Sequence, residues 1–146
     1  MIKILIIHGP NLQLLGQRET DIYGKTTLAD LNRRLQDSAK KLKVELEILQ
    51  SNHEGDIVEA IGKSTKKNIS AIVINPAAYT HTSVAIRDAL LAVNIPAIEV
   101  HLSNIYKRED FRQKSLIAPA CQGQITGLGV ESYVLALQAA VHLSKS

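Results

Sequence analysis

Tyr23 and Arg18 stand five residues apart in GQRETDIYG (16–24), a polar stretch that follows an apolar run. Tyrosine is a poor base at neutral pH, because its reference pKa is about 10. A guanidinium beside it favours the phenolate, and arginine stays charged without competing for the proton. The pair is a candidate general base with its activating cation; the alternative is a loop tyrosine packed on the surface beside a solvated arginine. Glu99 and His101 lie two apart in IEVH, which on a strand gives them one side-chain parity. A carboxylate beside an imidazole fixes one tautomer and favours the protonated form, as suits a general acid; the alternative is a histidine satisfied by backbone groups. His81 could line a cleft or cap a helix, with Asp88 seven residues on. Arg108 and Arg112 are four apart, so on a helix they share a face and could hold a carboxylate or hydroxyls, or form an ordinary solvated face.

Other chemistries find little support. His8, His53, His81, His101 and His142 show no HxxxH or HxH spacing, so no metal is expected. Neither GxxxxGK[ST] nor GxGxxG occurs, which argues against a nucleotide. GLG (127–129) opens a helix but is weak evidence by itself. Cys121 is the single cysteine, in PACQG with no base nearby in sequence, so neither a disulfide nor a thiol nucleophile is expected. The net charge of +3 concentrates in KKLK (40–43) and KSTKKN (63–68), which contain no aromatic residue to stack on bases. They read as solvated helix faces, and nucleic acid is set aside. ILII and AIVI are too short to span a bilayer, and the start lacks a signal peptide's apolar core. The chain reads as cytoplasmic, with no membrane partner.

The elements that must position these residues follow from hydrophobic patterning. IKILII (2–7) and ISAIVIN (69–75) are continuous β-branched runs, as in strands buried on both faces. VELEILQ (44–50) alternates, as an edge strand would; IPAIEVH (95–101) and GQIT (123–126) are further strands. Helical spacing runs over 26–42, with Thr26 or Thr27 as cap, and over 56–67, 83–93 and 130–143. A short charged helix is expected from Lys107 to Lys114. With 146 residues and no linker, the chain reads as one domain, 1–146. Strand and helix alternate about five times, which predicts a flavodoxin-like three-layer α/β/α fold with a five-stranded parallel sheet of order 2-1-3-4-5. Ligands in such sheets sit beyond the carboxyl ends of the strands. HGPN (8–11), NP (75–76) and EVH (99–101) all end strands on that rim, so Asn11, Arg18, Tyr23, Asn75, His81 and His101 can converge.

Three stretches in register carry a family resemblance: IHGPNLQLLGQRETDIYG (7–24), VINPAAYTHTSVAIRDAL (73–90) and IEVHLSNIYKREDFR (98–112), followed by GLG (127–129). They resemble the type II 3-dehydroquinate dehydratases over nearly the whole chain. The resemblance implies a lyase that dehydrates 3-dehydroquinate to 3-dehydroshikimate in aromatic biosynthesis, through an enolate and without metal, nucleotide or Schiff base. It implies a homododecamer built from four trimers. By matching position, Tyr23 is the base, Arg18 activates it, Asn11 positions the water that stabilises the enolate, and His101 is the acid with Glu99 behind it. Asn75, His81 and Arg112 match substrate-binding positions, Leu102 and Ser103 match the pair that holds the substrate carboxylate, and Asp88 matches a residue that reaches a neighbouring subunit's site. Arg108 belongs to the lid region, and GQRETDIYG itself is expected to act as a lid. Gln13, Ala77 and Tyr106 depart from the family pattern. Ala77 stands where glycine is usual, and a backbone needing positive φ resists alanine, so the loop there is expected to differ slightly. The rival class is a non-catalytic flavodoxin-like binding or signalling module. A receiver, however, needs acidic residues at the strand ends, and here they read HGPN, NP and EVH.

Overall fold

The computed structural model describes residues 1–17 and 19–145. Five strands, β1 (Lys3–His8), β2 (Glu45–Gln50), β3 (Ala71–Asn75), β4 (Ala97–His101) and β5 (Gly123–Thr126), form a sheet of order β2-β1-β3-β4-β5. Every neighbouring pair is parallel, as the alternation of elements predicts. The helices are α1 (Thr20–Tyr23), α2 (Leu28–Leu42), α3 (Glu54–Gly62), α4 (Val84–Val93) and α5 (Val130–Ser144). None of the described helices is long and apolar enough to cross a membrane.

Side-chain alternation along β1 divides the interior in two. Ile4 and Ile6 point to a core shared with Leu31 and Leu35 of α2 and Leu137 of α5. Leu5 and Ile7 point to the opposite face, against Ile57 and Ile61 of α3 and Ile86 and Leu90 of α4. A continuous apolar run is what a strand covered on both sides requires. β2 is the edge strand that its alternation suggested, and its residues are exposed or half-buried.

Local chemistry sets the helix ends. Thr27 caps α2: its Oγ1 accepts from Asp30 N at 3.1 Å, while Asp30 Oδ2 accepts from Thr27 N at 3.2 Å. Lys40 and Lys41 occupy the last turn of α2, where cations oppose the helix dipole favourably. α3 stops at Gly62, short of the expected 67, because KSTKKN supplies no apolar residue to continue the buried stripe. The charged helix expected over 107–114 is absent. In its place are two 3-10 turns, Ile105–Lys107 and Asp110–Arg112, separated by extended backbone at Arg108 and Glu109. Side chains compete for the backbone donors here: Asn104 Oδ1 takes Tyr106 N, and Thr126 Oγ1 takes Ile105 N.

A buried polar line crosses the first core. His8 is fully buried; its Nε2 donates to Asn32 Oδ1 at 2.8 Å, and its Nδ1 accepts from the Tyr133 hydroxyl at 2.9 Å. Tyr133 is also bonded to the Asn75 side chain, and Asn75 Oδ1 accepts from Ala77 N at 3.1 Å. Burial pushes the Tyr133 phenol upward and lowers His8 to about 4, the Asn32 contact opposing the shift in His8. At the strand ends, Gly9 N donates to Asn75 O at 2.8 Å, and a Cβ at Gly9 would lie 2.6 Å from Pro76 O.

Gly9→Ala is expected to cost about 1–3 kcal/mol, read as a lower urea midpoint; an unchanged midpoint would show that the strand ends can separate freely. His8 should also make stability depend on pH. Between its unfolded value of 6.5 and its folded value of about 4, the unfolded chain binds a proton that the folded chain does not. Stability should therefore fall as pH drops through that window, by on the order of 3 kcal/mol at most. His8→Asn should flatten the profile there, and urea titrations at stepped pH would show whether it does.

Candidate active site

The ends of β1, β3 and β4 converge on one cleft, lined among others by Asn11, Tyr23, Asn75, His81, His101 and Arg112. It holds about 130 Å³. One water needs roughly 10–15 Å³, so the cleft suits a small molecule of about ten heavy atoms.

Tyr23 closes α1 and is half-buried at the cleft. Its hydroxyl accepts from Arg108 Nη1 at 2.5 Å, and the guanidinium carbon lies 5.5 Å from the ring centroid. Sequence proximity suggested Arg18 for this contact; Arg18 lies outside the described residues. Arg108 comes from 85 positions away and follows no helical spacing from Arg112. Both arginines still line the cleft, because the paired 3-10 turns fold back over it. Arg112 Nε donates to Glu109 Oε2 at 2.9 Å, and its guanidinium carbon sits 4.9 Å from the Phe111 ring.

Opposite stands His101, whose Nε2 lies 2.6 Å from Glu99 Oε2. Glu99 is completely buried, and burial alone would raise its pKa. Bonds from His101, Ser115 (2.7 Å) and Gln124 (2.5 Å) outweigh that and hold the carboxyl below its usual 4.5. An ionised acceptor fixes the proton on Nε2 and leaves Nδ1 for the cleft. Ser115 and Gln124 carry no sequence signal for this role, since they lie 16 and 25 positions from Glu99. Tyr106 extends the line: its hydroxyl donates to Gln124 Oε1 at 3.2 Å.

His81 ends the 3-10 turn Ala77–His81 and does not cap α4; Ser83 does, accepting from Ile86 N at 2.9 Å. Nδ1 of His81 donates to Lys114 O at 2.8 Å, which leaves Nε2 for the cleft. The carbonyls of Leu102 and Ser103 accept from Gly129 N (2.9 Å) and Thr126 Oγ1 (2.8 Å), so the GLG segment and the end of β5 hold them. The N–H groups of Leu102 and Ser103 find no acceptor among the described residues, and both residues line the cleft. Such a pair of free amides suits an anion. Asp88 is not brought to the cleft; it stands exposed on α4. Burial, followed by the Glu99 charge, pushes the Cys121 thiol up to about 12, which makes it a poor nucleophile.

Gln13 reaches the Gln50 amide at 3.2 Å. Ala77 adopts φ of +52°, so the chain accommodates alanine within the left-handed region and does not leave it.

A family profile described as Dehydroquinase class II matches residues 2–141. The chain is 60% identical over 140 residues to a 3-dehydroquinate dehydratase of Acaryochloris marina, covering 96% of this chain and 93% of that protein. It is 58% identical over 140 residues to a 3-dehydroquinate dehydratase of Nostoc sp., covering 96% and 95%. Among solved structures, a type II dehydroquinase from Butyrivibrio crossotus superposes with a TM-score of 0.94 at 46% identity, covering 95% of this chain and 97% of that one.

Ala77→Gly is expected to stabilise the fold by up to about 1 kcal/mol, because relief of left-handed strain exceeds the added chain entropy. Thermal unfolding at pH 7 checks the sign.

Proposed function

This chain belongs to the class II dehydroquinase family, and from that premise we propose that it dehydrates 3-dehydroquinate to 3-dehydroshikimate through an enolate. The observation that carries the reading is one cleft with a cation-bonded phenol on one wall and a carboxylate-backed imidazole on another. Loss of water beside a ketone needs a base, an acid for the departing hydroxyl, and stabilisation of the enolate oxygen.

Tyr23 takes the proton next to the ketone. Arg108 donates to its oxygen and supports negative charge there, and family position gives Arg18 the same service. His101 protonates the leaving hydroxyl through Nδ1 while Glu99 holds the imidazolium. Asn11 orients the water that stabilises the enolate. The N–H groups of Leu102 and Ser103 receive the substrate carboxylate, with Arg112, Asn75 and His81 reading the rest of the ring. No step calls on a metal or cofactor. Asp88, exposed on α4, serves a neighbouring subunit's cleft within a dodecamer of four trimers. The reaction belongs to cytoplasmic aromatic biosynthesis.

The product is a conjugated enone acid, so its ultraviolet absorbance reports turnover. Purified protein with 3-dehydroquinate and a chelator is expected to show a steady rise. Tyr23→Phe should lose roughly 10²–10⁴-fold in kcat while keeping its circular dichroism spectrum. A flat trace from folded wild type would sink the activity, and substantial turnover by the Phe variant would sink the assignment of the base.

A further inference from the structure

We propose that Asn52 is a positioning residue for this reaction, fixing Asn11 and the turn after β3 on the two sides of the cleft. The inference rests on the reading above, since it takes Asn11 as the residue that orders the enolate's water. Asn52 lies just beyond β2, is exposed, and lines no part of the cleft.

Its side chain and its backbone face different partners. Oδ1 accepts from Asn11 N at 2.9 Å and from Gln50 Nε2 at 3.2 Å. Its carbonyl accepts the Tyr79 hydroxyl at 2.7 Å. Asn11 sits at φ 70°, ψ 1°, a left-handed conformation that asparagine tolerates without preferring. The bond to Asn52 occupies the Asn11 N–H in that conformation and leaves its side chain for the cleft. Tyr79 belongs to the turn Ala77–His81, whose Ala77, Ala78 and His81 form cleft wall. One residue thus ties the loop after β1 to the turn after β3. An exposed hydrogen bond adds little to global stability, so the consequence of the tie is geometric. A displacement of about 1 Å at a group that orders a reacting water can cost on the order of 100-fold in rate.

The test is steady-state kinetics on 3-dehydroquinate with Asn52→Leu, Asn52→Asp, Asn11→Ala and the Asn52→Leu/Asn11→Ala double variant, each with a melting curve. Leucine removes the acceptor at similar volume, whereas aspartate keeps an oxygen for Asn11 N. Asn52→Leu is expected to lose roughly 10- to 100-fold in kcat, with KM changed by less than about threefold. Asn52→Asp should retain most of the rate, and the double variant should be no slower than Asn11→Ala alone, because both changes remove one function. Additive losses, equal loss in the Leu and Asp variants, or a Leu variant as fast as wild type would each overturn the inference. An inactive wild type would overturn the function reading and this inference with it, so the two failures are told apart by the wild-type trace.

Discussion

Gly9 and Pro76 approach so closely that a single methyl group between them has nowhere to go. That contact, with the Gly9–Asn75 backbone bond, joins the ends of β1 and β3. Both strands leave the sheet there, on either side of the reversal in strand order, and the cleft opens above them. Asn11 and Asn75 owe their proximity to it. Below the same point, the His8–Tyr133–Asn75 line fixes the Asn75 amide with both of its ends occupied, so the side chain enters the cleft from a determined orientation. Burying polar groups is costly unless they are hydrogen-bonded, and each of these has partners.

The two walls handle charge differently. On the imidazole side the carboxylate is fully buried and ionised, which only several donors can sustain; Ser115, Gln124 and His101 supply them. Those bonds fix the orientation of the carboxylate behind His101. On the phenol side the contact is made between a four-residue helix and an irregular pair of 3-10 turns. A pairing built from such short elements has few other contacts to hold it.

Gln13, Ala77 and Tyr106, the positions that the resemblance marks as departures, lie around the cleft and leave Tyr23, Glu99 and His101 in place. Gln13 joins the Gln50 amide beneath the Asn11 loop, and Tyr106 joins Gln124 behind Glu99. Ala77 keeps a glycine-like backbone angle at the cost of local strain. A changed side chain is absorbed where a flexible partner can turn toward it. A changed backbone preference is absorbed only by strain, because the bond between Asn75 and Ala77 N holds the turn in place.

The sequence by itself determined the layers and their order. Apolar runs such as KILIIH and AIVIN can be satisfied only by cover on both faces, and strand–helix alternation then leaves few topologies. It also determined the Glu99–His101 pair, since two residues along a strand share a face whatever the rest of the fold does. Proximity in sequence decided less. The Arg18 it suggested for the Tyr23 phenol lies outside the described residues. The helix it suggested to align Arg108 with Arg112 is replaced by two turns, and Arg108 meets the phenol from an extended segment between them. Only the tertiary structure decided that contact, the donors that keep Glu99 ionised, and the hold of Asn52 on Asn11. Each joins residues from separate loops at the ends of different strands. Periodicity reports which face a residue occupies within its own element, and carries no information about which distant loop will meet it.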